Sequence, residues 1–144
     1  MKRFLTLLIL FSFPLHAATK MLTYSPAVVE LAGTLDLQTF PGPPSYESIK
    51  EGDEVERHFY LMLDTPVDVL PKRENEGVEN AEEEREVKIV QLAVSEEDDV
   101  LWEKFRKLGM GGRVKIRGAL FHRFTGHHHS RVLLGVTGMQ PLLN

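Results

Sequence analysis

Val87-Lys88-Ile89-Val90-Gln91-Leu92-Ala93-Val94-Ser95-Glu96-Glu97-Asp98-Asp99-Val100-Leu101-Trp102-Glu103-Lys104-Phe105-Arg106-Lys107-Leu108-Gly109 changes its period part-way along. Up to Val94 the side chains alternate, with Ile89, Gln91 and Ala93 on one face and Val90, Leu92 and Val94 on the other, which is the pattern of a strand. Beyond it, Leu101, Phe105 and Leu108 recur at helical spacing and Gly109 supplies a stop. Ser95-Glu96-Glu97-Asp98 has the spacing of a capping box, so the helix is expected to begin at Ser95. Trp102 is read as packing, because an indole buries a large apolar area.

Period two dominates on both sides of this junction. Val28 to Phe40 alternates through Val29, Leu31, Gly33, Leu35 and Leu37, with a glycine where a barrel strand can bend. Glu56 to Asp64 carries Phe59, Leu61 and Leu63 opposite His58, Tyr60 and Met62, and Pro66 and Pro71 are expected to close it. After the helix, Arg113 to Arg123 places Val114, Ile116, Gly118 and Leu120 on one face, and Arg131 to Met139 alternates through Val132, Leu134 and Val136. Three strands, a short helix and two strands, with glycines in the first and fourth, is the order of a mainly β, five-stranded OB-like Greek-key barrel. The prolines of Phe40-Pro41-Gly42-Pro43-Pro44-Ser45-Tyr46 cannot feed a ladder, so residues 40–54 form a long, stiff loop, with Asp53 and Glu54 as turn chemistry.

The N-terminus speaks to location. Lys2 and Arg3, an apolar run from Phe4 to Phe13 too short to span a bilayer, and the small residues up to Ala18 have the layout of a secretory signal. Residues 1–18 are therefore expected to be a cleaved signal peptide, and 19–144 a single domain, periplasmic or secreted, with no membrane span once the signal is gone. Without cysteine, an exported domain relies on its core, and about 125 residues can bury one. Charge is unevenly spread: Glu47 to Asp99 holds 18 acidic and 6 basic residues, whereas Val100 to Asn144 holds 1 and 8. Glutamates dominate an expected solvated loop at about 72–86.

Chemistry is sought first at Phe121-His122-Arg123-Phe124-Thr125-Gly126-His127-His128-His129-Ser130-Arg131, because imidazole is the commonest metal ligand and titrates near neutrality. In OB folds the loops joining strands 1 to 2 and 4 to 5 share a rim, here the 40–54 loop and this 122–130 hairpin. The expected contact residues are Phe40, Tyr46, His122, Arg123, His127, His128, His129 and Arg131. Strand alternation lets His127 and His129 share a face and His122 join them, a candidate zinc or copper set to which the loop itself adds no carboxylate. The competing expectation has the imidazoles bonding loop carbonyls around Thr125-Gly126, with no cofactor. No acid, base and nucleophile fall together, so enzymatic activity is not expected. Lys115, Arg117, Arg123 and Arg131 offer a basic surface, but export and the acidic half argue against nucleic acid and for an anionic envelope ligand or a protein.

Phe40 to Ile49 with Gly52-Asp53, followed by Gly118-Ala119-Leu120-Phe121-His122 and Thr125-Gly126-His127-His128-His129, resembles the bacterial domain of unknown function DUF4431. The family's threonine and asparagine are replaced here by Ser130 and Ser45, both mild changes. The resemblance implies a bacterial exported protein and carries no activity, cofactor or catalytic residue. The expectation is a non-catalytic exported binding domain working through the rim. Alternatives are a metal-binding protein, or an inhibitor or immunity protein that caps an exported toxin or hydrolase through the acidic segment.

Overall fold

A computed structural model describes residues 19–71 and 82–143, and in it the alternation becomes six strands and one helix. They are β1 (Lys20–Thr23), β2 (Val28–Pro41), β3 (Val55–Leu70), β4 (Glu84–Ala93), α1 (Asp99–Leu108), β5 (Arg113–His122) and β6 (Val132–Pro141), with a 3-10 turn at Ile49–Glu51 between β2 and β3. The expected signal at 1–18 lies outside the described residues. No helix among those described is long and apolar enough to cross a membrane.

All six strands share one sheet in the order β1-β3-β2-β5-β6-β4, and β3 also pairs with β4. The run of pairings through β3, β2, β5, β6 and β4 thus returns to β3. Every pairing is antiparallel except β4 with β6 and β1 with β3. Five strands were expected, and the sixth, β1, was missed: four residues are too few to show a period, and β1 is held by the far end of β3, from Lys20 beside Val67 to Thr23 beside Leu70.

That far end corrects a second expectation. Pro66 does not end β3, which runs on to Leu70. A proline is tolerated in a strand where the ladder is interrupted, and the β3–β4 register shifts between Met62 and Val67 around it. The acidic loop placed at 72–86 also divides: residues 72–81 lie outside the described residues, while Glu84 to Glu86 already belong to β4. Asp68 of β3 draws them in, accepting from the Glu86 amide at 2.9 Å and from Arg85 Nη1 at 2.7 Å.

The core forms where the inward faces meet. Leu31, Leu35, Leu61, Val90, Val114, Ile116, Leu120 and Leu134 are buried. Gly33 and Gly118 make the close crossings possible, since a Cβ on either would lie 2.1 Å from a carbonyl oxygen of the neighbouring strand. Helix α1 seals one side with Leu101 and Phe105, and Phe59 stacks on Phe105 at 5.0 Å between ring centres. Trp102 packs on Phe59 and donates its indole N–H to the Ser95 carbonyl at 2.9 Å, the packing role expected of it.

The helix starts three residues later than the capping box implied. Asp98 is the N-cap, accepting from the Leu101 amide at 3.0 Å, while the Ser95 carbonyl is spent on a turn that closes at the Asp98 amide. Consecutive carboxylates at Glu97, Asp98 and Asp99 offer several caps, and the side chain next to the first helical turn wins. Phe105→Ala is expected to lower stability by about 3–5 kcal/mol, the range for deleting a buried phenyl ring, read as a shift of the urea unfolding midpoint.

Candidate functional site at the junction of two loops

Register brings the two distinctive segments together. Phe40 lies opposite Glu56 in the β2–β3 pair, and Gln38 opposite His58, so Phe40, Glu56 and His58 share one face. The same β3 strand sets Tyr60 beside Gln91 of β4, which in turn sits beside Leu133 of β6. The hairpin joining β5 to β6 is thereby carried across to the face that holds Glu56.

Glu56 receives it. Its Oε2 lies 3.0 Å from His58 Nε2 and 3.2 Å from His129 Nε2, and its Oε1 contacts His127 Nδ1. An ionised carboxylate only accepts, so each of these three ring nitrogens carries the hydrogen. With Nδ1 of His127 committed, its Nε2 is left as the acceptor for the Tyr46 hydroxyl, 3.2 Å away. Burial pushes the Glu56 carboxyl up, but hydrogen bonds from His58, His129 and His127 outweigh it and hold the group below the ordinary 4.5. Phe40 stacks flat on His129, rings 4.1 Å apart and 4° from parallel. Gly126 lies so close to the Tyr46 ring that a Cβ there would be 3.0 Å from it.

Two buried polar side chains hold these segments in shape. Gln91, 2% exposed, accepts from the His129 amide at 2.7 Å and the Ser130 amide at 3.2 Å, and donates to the His127 carbonyl at 2.8 Å. Asp53 accepts from the Ser48 and Glu47 amides, both at 2.8 Å, and from the amide and hydroxyl of Ser45 at 2.9 and 2.7 Å. The Ser48 amide, the Ser45 hydroxyl and amide, and the Glu47 amide together hold its carboxyl well below the ordinary 3.8 despite burial. Its expected turn role is therefore the organisation of the whole 45–48 bend.

The remaining histidines go elsewhere. His128 fixes the hairpin, as the structural expectation had it, but by accepting instead of donating: its Nδ1 takes the amides of Phe124 at 3.1 Å and Thr125 at 3.3 Å. Burial pushes its pKa down, and so does the repulsion a proton there would meet beside His127, His58 and His129, in keeping with an acceptor ring. His122 turns to Glu84, with Nε2 3.1 Å from Oε1, against the edge of Tyr24. Arg131 reaches the other Glu84 oxygen at 3.4 Å, and Arg123 bonds Arg131 through the backbone alone. Lys115 and Arg117 line a separate shallow depression with Glu30.

The proposed metal set of His122, His127 and His129 is thus divided. Among the described residues, the groups whose ligand atoms lie within 4.8 Å of one another are Glu56, His58 and His129, and Glu82, Glu84 and His122. Glu56 and His58 do not stand out in the sequence as the histidine run does, although their i, i+2 spacing next to the proline loop puts both on one face of a strand. Beside the Glu56 cluster opens a groove of about 420 Å³, lined among others by Arg57, His58, Gln91, Trp102, His127 and His128.

Residues 89–140 match the family described as a domain of unknown function, DUF4431. The match takes in the second half of β4, α1, β5, the histidine hairpin and nearly all of β6, and it bears out the resemblance over that stretch. The Phe40 to Asp53 motif lies outside it. No curated protein and no solved structure matches the chain.

Because Asp53 has a depressed carboxyl, its contribution to folding is complete above 3.8 and is lost as pH falls below that value. Protection factors at the Ser45, Glu47 and Ser48 amides, taken relative to the intrinsic exchange rate at each pH, should therefore fall on acidification past 3.8 in the wild type, and be low already at neutral pH in Asp53→Asn. Unchanged protection in the variant would show that the bend holds itself.

Proposed function

We propose that β2 to β6 close as an OB-like Greek-key barrel and that the chain is an exported, non-catalytic binding domain whose ligand lies in the groove beside Glu56. The barrel reading is supported by the circular order of pairings, by the parallel β4–β6 contact and by the helix between β4 and β5. The observation that carries the binding reading is the groove's position. It combines side chains of β3 and β4 with His127 and His128 of the hairpin, which is the face and one of the loops that OB folds commonly use. Its walls mix an exposed cation, Arg57, with the indole of Trp102, the imidazoles of His58, His127 and His128 and the amide of Gln91. Such a lining suits a ligand with negative charge and a flat or apolar portion, such as an anionic envelope polymer or an acidic protein segment. Export rests on the basic, apolar and small-residue order of the first eighteen residues.

Preorganisation supports the binding reading. Gln91 and Asp53 fix both loops before any ligand arrives, which lowers the ordering cost of association. Arg57→Glu is expected to keep the wild-type circular dichroism and urea midpoint while losing, by at least about tenfold, the component that the wild type retains from an envelope extract. Val100→Ser, on the exposed side of α1, should retain it as the wild type does. Equal retention by Arg57→Glu would take the groove out of the binding surface.

A further inference from the structure

We propose that Glu56, His58 and His129 form a binding site for a zinc-class divalent transition ion, with His127 and Tyr46 orienting the carboxylate. The donor set is two imidazoles and one carboxylate, a combination that zinc accepts while leaving a fourth position for water or ligand. Metal–ligand bonds of about 2.0–2.1 Å at tetrahedral angles separate neighbouring donor atoms by about 3.3 Å. The two edges that run from Glu56 Oε2 measure 3.0 Å to His58 Nε2 and 3.2 Å to His129 Nε2, close to that separation, and the three donor atoms all lie within 4.8 Å of one another.

Support around the donors resembles that of a metal centre. The second carboxylate oxygen of Glu56 is held by His127, and His127 is held in turn by the Tyr46 hydroxyl. Outer hydrogen bonds of this kind fix a ligand's orientation. Phe40 stacks on the His129 ring and fixes its plane, and the Gln91 bond to the His129 amide fixes its backbone. His58 also lines the groove, which gives the ion an approach and its fourth position an outlet.

Binding asks little of the protein chemically. The hydrogen now on Nε2 of His58 and of His129 moves to Nδ1, the Nε2 lone pair turns to the ion, and Glu56 exchanges two hydrogen bonds for one coordinate bond. The site borders the groove, but the inference stands without the groove's own ligand, because the ion is tested by itself.

The test is calorimetric titration of the chelator-stripped full chain with zinc chloride near neutral pH, repeated with cobalt(II), whose visible spectrum reports tetrahedral coordination. One ion per chain is expected. His58→Ala and Glu56→Gln should each weaken binding by more than about a hundredfold, since a lost ligand costs more than a lost outer-shell partner, and Tyr46→Phe by about tenfold. His122→Gln should leave it unchanged, because His122 bonds Glu84 and shares no donor with the Glu56 cluster. Urea midpoints of the metal-free variants separate lost ligation from lost folding; should His58→Ala fail to fold, Glu56→Gln carries the test. Wild-type binding no tighter than that of Glu56→Gln, or loss confined to His122→Gln, would overturn the assignment. Loss of zinc binding with retention from envelope extract intact would remove the ion and leave the binding-domain reading standing.

Discussion

Glu56 has two oxygens and satisfies three imidazoles, and two of them, His127 and His129, come from a hairpin 71 and 73 residues further along the chain. Placing a carboxylate where it is largely shielded from water costs solvation energy, and three ring N–H donors offset that cost. Together with the Gln91 bonds to the hairpin backbone, that exchange holds the histidine hairpin against the proline-stiffened segment. The Phe40–His129 stack and the tight approach of Gly126 to Tyr46 are consequences of the hairpin being held there.

The sheet prepares the meeting from below. A strand can present two functional side chains on one face at i and i+2, and β3 uses that spacing for Glu56 and His58. Its neighbour β4 contributes Gln91, an amide with both donor and acceptor, and this lets one buried side chain grip the hairpin backbone at three places. Asp53 does the same for the other loop with a group that only accepts. Both loops are therefore fixed by side chains rooted at strand ends or within strands, so the surface they share is rigid although neither segment is regular.

Fold class was legible because burial imposes period two on strands and 3.6 on the helix, and the change of period after Val94 put α1 between β4 and β5. The meeting of the two loops was legible too, through connection order. Less visible was whatever depended on pairing partners. β1 is too short to carry a period and exists by virtue of β3. Pro66 reads as a terminator until the shifted register that accommodates it is seen. Among the site residues, alternation alone set His127 and His129 on one side, yet it could not show that His122 is drawn away by Glu84 or that a carboxylate 71 residues upstream fills the gap. His128 illustrates a further limit: a sequence shows that an imidazole is present, but which nitrogen accepts depends on amides positioned by the turn.

The most direct measurement is the pattern of nuclear Overhauser contacts in solution between the Phe40 and His129 rings and between the Tyr46 ring and the Gly126 α-protons, compared in the wild type and in Glu56→Ala. Both contacts should be strong in the wild type and absent in the variant, while contacts within the core, such as Phe59 to Phe105, persist. Contacts that survive without the carboxylate, or that are missing in the wild type, would contradict the central role given to Glu56.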